Sequence, residues 1–430
     1  IIILAFIACI AMLTYAVKNG GISHDGSYYL RIASSLANGE GFTVASFEDY
    51  DEPPYQRFPV IRPLGYPIAV ALLSGLCQAP VFLGAKMLAI VCGIGLSWFF
   101  KQLYGHEGLT LASLLLTSLV LELYFSVLSG GLFAILLVYW VYLLSNACAN
   151  GFKWSSILIT ASIGAAIFTV RYVGIVVLPV LVLFSAYDPV NSVIRFSGRY
   201  ALIFAWSAFL IGAYLMLNYM KAGSFLPGHP AQDQSALWIL GDFCWELLNS
   251  LNLVFTILYK GETWRITATG AALILQVSIA GFWLKQFRPK YSPFIPLKPL
   301  TRIGLVTIIT YLTMLLIIYL TKYYTYSYRF LVPALILLAW VLFHQAYHTQ
   351  SFKLLKTLRY TALSIAIVSF TLNGIGRSAY HWLWKPTPTF SEHLTHIQSK
   401  YDDVPEGSFV LFPEKDLNYL RIDLIPTYQP

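Results

Sequence analysis

The chain has 430 residues, 57% of them hydrophobic and only 11% charged, with a net charge of +8 and a mean hydropathy of +0.66. A soluble domain carries roughly 25% charged residues, so this composition excludes a single water-solvated core and makes lipid the solvent for much of the surface. The apolar runs are long and continuous rather than alternating, which in lipid selects helices over a closed barrel. The positive charge falls in short loops and does not imply nucleic acid. The five cysteines, Cys9, Cys77, Cys92, Cys148 and Cys244, form no C-x-x-C pair and read as small buried hydrophobes rather than a zinc or disulfide framework.

In chain order, residues 1–17 are expected to be a first membrane span. The sequence opens inside this apolar run without Met, so an upstream segment is expected before it. No small-residue cleavage site follows, and the run reads as a retained span rather than a signal peptide. Residues 23–41 then predict an amphipathic helix at the membrane surface. Tyr29, Ile32, Ala33 and Leu36 recur at i, i+3, i+4 and i+7, while Arg31, Ser34, Ser35 and Asn38 face away. Asp25 sits where an N-cap belongs and Gly39 where a C′ residue belongs. The acid-rich stretch Glu48-Asp49-Tyr50-Asp51-Glu52-Pro53-Pro54 reads as a solvated turn, followed by Arg57 and by Arg62-Pro63-Leu64-Gly65-Tyr66-Pro67. Residues 63–79 are apolar but short, and suit an interfacial helix better than a span. Further spans are expected at 82–101, 108–126, 130–147, 154–169, 171–186, 200–217, 266–285, 303–321, 329–347 and 360–376. That makes about eleven spans of up to roughly 20 residues.

Charge sets the orientation. If 63–79 does not cross, the loops near 102–107, 148–153, 187–199, 286–302 and 348–359 share one side, with Lys101, Lys153, Arg195, Arg199, Lys285, Arg288, Lys290, Lys298, Arg302, Lys353, Lys356 and Arg359. Short Lys/Arg-rich loops are cytoplasmic. The opposite, outer side then holds the loop 18–81, the loop 218–265, the tail 377–430 and every acidic residue except Glu107, Glu122 and Asp188. A polytopic all-α transmembrane domain over 1–376 with a small outer-face tail is therefore the expected organisation, in a cell (inner) membrane with the active face periplasmic or extracellular.

Candidate chemistry gathers on that outer side. Asp25 is a helix cap or a carboxylate poised at the interface to accept a proton. Arg57 and Arg62 suit a lipid phosphate at headgroup level or act as interfacial anchors. Arg171 lies between two apolar segments, Arg329 at the outer end of a late span, and Lys86 near the outer end of another. Charges there are costly unless paired and mark functional positions by default. In the 218–265 loop, the stretch 236–259 with Trp238, Asp242, Trp245, Glu246 and Tyr259 reads as a membrane-anchoring helix, with a cavity roof as the alternative.

These residues resemble a known family. An outer-loop Asp25 after the first span, a Tyr-rich helix ending Asn38-Gly39-Glu40-Gly41-Phe42, and Arg62-Pro63-Leu64-Gly65-Tyr66-Pro67 look like the GT-C class of integral-membrane glycosyltransferases. The branch with protein O-mannosyltransferases and lipid A aminoarabinose transferases is the most similar. Phe168-Thr169-Val170-Arg171-Tyr172-Val173-Gly174 with Pro179 resembles the family's Arg-containing helix junction, Asn218-Tyr219 with Gly223-Ser224 the start of its large outer loop, and Tyr328-Arg329-Phe330-Leu331-Val332-Pro333 its late Arg element. The resemblance runs in order over roughly residues 1–345. It implies a GT-C-like fold, a sugar donor carried on a polyprenyl phosphate, an unidentified glycan, lipid or protein acceptor, and Asp25 at the catalytic centre. Arg57, Arg62, Arg171, Arg329 and Lys86 would hold the donor phosphate, with Glu122, Tyr28 and His24 as accessory groups. Family members commonly carry a second acid before a Leu-Phe pair, but this chain reads Ser129-Gly130-Gly131-Leu132-Phe133. No metal site is therefore expected, although the class admits a divalent cation. The competing expectations are a transporter or flippase of a lipid-linked saccharide, disfavoured because no halves repeat, and a non-catalytic assembly partner.

Overall fold

The computed structural model describes residues 2–16, 24–46, 55–57, 62–188, 193–194, 197–226, 235–253, 297–321, 328–348 and 352–376, with a few isolated positions besides. The expected tail 377–430 and most of the expected span 266–285 lie outside these residues. What is described is helical apart from two minimal antiparallel ladders. One pairs β1 (Val44–Ser46) with β2 (Tyr55–Arg57), Val44 opposite Arg57, and the other pairs β3 (Tyr187–Asp188) with β4 (Val193–Ile194).

The helices follow the apolar runs: α1 (Ile2–Ala16), α2 (His24–Ala37), α3 (Gly65–Cys77), α4 (Val81–Tyr104), α5 (Gly108–Ala112), α6 (Ser118–Phe125), α7 (Gly130–Asn150), α8 (Trp154–Val170), α9 (Val177–Ala186), α10 (Gly198–Ala222), α11 (Ala236–Ser250), α12 (Pro299–Thr321), α13 (Tyr328–His348) and α14 (Phe352–Ser369). Among the described residues five stretches are long and apolar enough to cross a membrane: Val81–Leu116, Gly130–Asn150, Gly198–Ala222, Pro299–Thr321 and Arg329–His348. Five shorter apolar helices accompany them, among them Ile2–Tyr15, Gly65–Cys77 and Trp154–Val170. Among the described residues, five helical stretches thus meet the length and hydropathy of a span, and the expected count of about eleven is not confirmed.

Two expectations need correction. Residues 108–126 were expected as one span, but the chain breaks at Thr117, whose extended backbone separates a 3-10 turn (Ser113–Leu116) from α6. The short pieces are almost wholly buried, so protein rather than lipid surrounds them. Because α6 starts anew, its first N–H groups lack intrahelical partners, and Ser118 N–H donates to the Leu253 carbonyl at 3.2 Å. The segment after α11 therefore reaches into the bundle, and α11 itself packs against α12 and α13 while exposing Leu237, Trp238 and Leu240. In the second correction, the basic stretch expected as the loop 348–359 is helical from Phe352, so Lys353, Lys356 and Arg359 stand in the opening turns of α14.

The core sits where α7 meets α4, α8, α12 and α13. Trp140, Trp340 and Tyr311 are fully buried there. Contacts at the basic end join residues from different helices. Tyr104 and His344, both assigned to the basic end, are hydrogen-bonded at 2.8 Å, and Trp340 Nε1 donates to the Tyr104 hydroxyl. Arg359 pairs with Glu107 at 3.6 Å at that same end.

One close approach fixes the other end. A Cβ on Gly65 would stand 2.8 Å from the backbone carbonyl of Thr169, so only glycine lets the start of α3 press onto the end of α8. Gly75, in the same helix, has open space where a Cβ would be. Gly65→Ala should therefore destabilise the protein by about 1–3 kcal/mol through overpacking. Gly75→Ala should leave it unchanged or slightly stabilised by up to ~1 kcal/mol of helix propensity. Thermal midpoints of the two variants in detergent check the contrast.

Candidate functional site

Helix α2 forms as its periodicity predicts. Tyr29, Ile32 and Ala33 are buried, and Gly39 takes a positive φ of 80° after the last turn. Two details differ. The helix begins at His24, so Asp25 lies in its first turn rather than at the N-cap, where a carboxylate still meets the positive end of the helix dipole. Ser35 is buried rather than outward, because its hydroxyl is hydrogen-bonded to Thr43 Oγ1 at 2.8 Å and donates to the Gly41 carbonyl.

Asp25 is the centre of a cationic cluster. Its Oδ1 accepts from Arg62 Nη2 and its Oδ2 from Arg329 Nη1, partners 37 and 304 residues away in the chain. The carboxylate is 14% exposed. Burial raises its pKa, but the charges and hydrogen bonds of Arg329 and Arg62 outweigh that, and the carboxyl is held below the usual aspartate range.

Each arginine is positioned by a local break in regular structure. Arg62 lies in the turn before α3. That turn is seated by the Gly65–Thr169 approach and by Leu64 N–H donating to the Tyr214 hydroxyl at 3.1 Å. Arg171 follows the end of α8 with an extended backbone (φ −151°, ψ 130°) before a 3-10 turn over Tyr172–Val176. Its buried guanidinium lies over Phe330 at 4.4 Å and over Phe133 at 5.7 Å. Arg329 opens α13, and Pro333, four residues on, has no N–H to give to the Arg329 carbonyl. Arg171 Nη1 supplies the missing donor at 2.7 Å. The Tyr311 hydroxyl donates to the next carbonyl, Phe330, at 2.6 Å. The proline in Arg329-Phe330-Leu331-Val332-Pro333 is thus what links Arg171 to Arg329.

Of the residues singled out in the sequence, the structure brings together Asp25, Arg62, Arg171 and Arg329. Lys86 is used differently. Its Nζ donates to the Phe125 carbonyl at 2.6 Å, at the C-terminus of α6, between the Phe125 and Phe82 rings. A cation on the last carbonyl of a helix is a cap that also meets the negative end of the dipole. Glu122, one turn earlier in α6, accepts from Ser126 Oγ at 3.2 Å and lies close enough to act on the charge of Lys86. Neither residue has a described contact with Asp25. Tyr28 packs with Ile32 and Leu64 in a small cluster under α2. The side chains of Arg57 and His24 lie outside the described residues, although the backbone of Arg57 belongs to β2 and that of His24 begins α2.

The packing around Gly130 leaves little room for the acid that the resemblance led one to expect there. A Cβ at Gly130 would meet Leu123 Cδ1 at 2.3 Å, so buried Leu123 fills the space a side chain there would need. The neighbouring Ser129 hydroxyl is within 3.3 Å of the Tyr29 hydroxyl. Among the described residues no group of three metal-ligating side chains occurs. Phe133, Phe330, Tyr29 and Tyr311, which lie around Arg171, carry no sequence signal that separates them from other aromatic residues of a membrane protein. Only the spacing of Pro333 to Arg329 offered a clue. Comparison of the chain with protein-family models, with curated proteins and with solved structures yields no match.

The depressed pKa of Asp25 makes a pH prediction. A lowered folded-state pKa contributes stability above the unfolded value, and that contribution is lost as pH falls through the folded value. The gap in thermal midpoint between the wild-type protein and Asp25→Asn should therefore be constant at neutral pH. It should begin to close only below about pH 4, the unfolded aspartate pKa. A gap that closes between pH 5 and 7 would contradict the ion pairs around Asp25.

Proposed function

We propose that the protein is a membrane glycosyltransferase that moves a sugar from a polyprenyl-phosphate carrier to an acceptor hydroxyl or amine on the outer face of a cell membrane. The observation that carries this is the meeting of Asp25 with Arg62, Arg329 and, behind them, Arg171, drawn from four separate parts of the chain. Charge patterning assigns all four to one end of the bundle. In that setting, guanidinium forks suit a lipid phosphate.

In the proposed reaction the bond between the anomeric carbon and the phosphate oxygen breaks, and a bond from that carbon to the acceptor oxygen or nitrogen forms. The polyprenyl phosphate leaves with the bonding electron pair, and the acceptor proton passes to Asp25. Arginines fixed near the leaving oxygen bind its growing charge more strongly in the transition state than in the ground state. Because Leu123 fills the space beside Gly130, no acid there takes part in the step. The same packing favours, as the second reading, a non-catalytic protein that binds a lipid-linked saccharide for a partner enzyme.

Reconstituted protein supplied with polyprenyl-phosphate-linked sugars and an acceptor mixture tests the proposal. Asp25→Asn should lower transfer by about 100-fold or more, the scale of a lost general base. Arg329→Ala should lower it by about 100-fold through lost stabilisation of the leaving phosphate. Donor binding without transfer by the wild-type protein would favour the second reading. Lipid translocation without transfer would replace both with a flippase.

A further inference from the structure

Asp25 has both carboxylate oxygens engaged by guanidinium groups of two different elements, Oδ1 by Arg62 and Oδ2 by Arg329. A pair of anionic oxygens in that position presents to the arginines what two oxygens of a phosphate group would present. Donor capacity remains after Asp25 is satisfied. Arg329 Nε is buried with no acceptor among the described residues. Arg171 meets a carbonyl and two aromatic rings but, among the described residues, no carboxylate. The site therefore binds an internal anion and still has N–H groups and positive charge for a larger one.

From this geometry we infer that Asp25 is a resident competitor for an anion seat, and that a phosphate group, the donor's phosphodiester or the monoester left after transfer, enters by exchange, taking Arg62 and Arg329 from the carboxylate. The N–H groups that clamp Asp25 cannot serve both anions at once. Phosphate binding thus releases the carboxylate that the transfer step needs as a base, and departure of the phosphate restores the clamp. In the clamped state the carboxylate is a poor proton acceptor, because protonation would cost it two ion pairs. The exchange couples occupancy of the site to its chemistry, so the carboxylate becomes basic only when a phosphate is present. The inference rests on the proposed function for the identity of the anion as a lipid phosphate. The exchange itself would hold for any phosphate group.

The test uses the full chain in detergent, titrated separately with farnesyl phosphate and with inorganic phosphate, for the wild-type protein, Asp25→Asn and Arg329→Gln. Removing the internal anion while keeping its shape should tighten farnesyl phosphate binding at least tenfold in Asp25→Asn, and Arg329→Gln should weaken it. Unchanged or weaker binding by Asp25→Asn, with Arg329→Gln still impaired, overturns the exchange while leaving the arginines as a phosphate site and the proposed function standing. Binding of neither ligand by the wild-type protein or Asp25→Asn overturns both. A tenfold gain with inorganic phosphate but none with farnesyl phosphate keeps the exchange and removes the lipid as its occupant. A measurement on the wild-type protein guards against misfolding of the variant. Carboxyl footprinting read by mass spectrometry should show Asp25 labelled several-fold faster with saturating farnesyl phosphate, and unchanged labelling overturns the release of the carboxylate.

Discussion

The ion pairs of Asp25 with Arg62 and Arg329 tie the start of the chain to its late helices. Charged groups at the edge of a membrane protein are costly to leave unpaired, so these partners constrain where α2, the turn before α3 and the start of α13 lie. The constraint extends one layer further. Arg171 reaches the Arg329 carbonyl because Pro333 leaves that oxygen without an intrahelical donor. Gly65 brings the Arg62 turn onto the end of α8, directly before Arg171. Three sequence-distant arginines thus gather at a single carboxylate or directly behind it, each positioned by a local break in regular structure.

The same physical rule accounts for the buried cation that is not at the site. Lys86 binds the Phe125 carbonyl because α6 ends there and leaves that oxygen free. Arg171 and Lys86 are both buried cations satisfied by carbonyls that a proline or a helix end has released, with aromatic faces supplying the rest of their solvation. They differ in what lies beside them. Lys86 has Glu122 in the same helix it caps, which makes a locally balanced structural unit. Arg171 has Arg329, so its charge adds to a cationic surround. That difference in neighbours, not depth, separates the capping lysine from Arg171, which stands behind the Asp25 cluster.

The two ends of the bundle are chemically distinct. One holds Asp25 and its arginines. The other holds hydrogen-bonded Tyr104, His344 and Trp340, with Gln345 accepting from Lys298 N–H and Thr301 Oγ1. A ring-on-ring aromatic cluster of Phe343, Tyr347 and His348 completes that end. Residues that loop charge assigns to one end meet partners from that same end in these contacts.

The amino-acid sequence by itself determined the helical class, the positions of the apolar helices, the amphipathic face of α2 and the candidate charges. Each follows from composition, 3.6-residue periodicity or the cost of a charge in lipid, all of which are local. It also carried Pro333 four residues after Arg329, although nothing in the sequence said which donor would fill the vacant bond. Tertiary structure alone decided that Asp25 lies between Arg62 and Arg329 and that Lys86 caps α6. It likewise decided that residues 108–126 are broken and buried, and that Leu123 occupies the space at Gly130. Those outcomes depend on which helix ends face one another. Pairing between residues hundreds of positions apart is set by packing, and no local pattern encodes it.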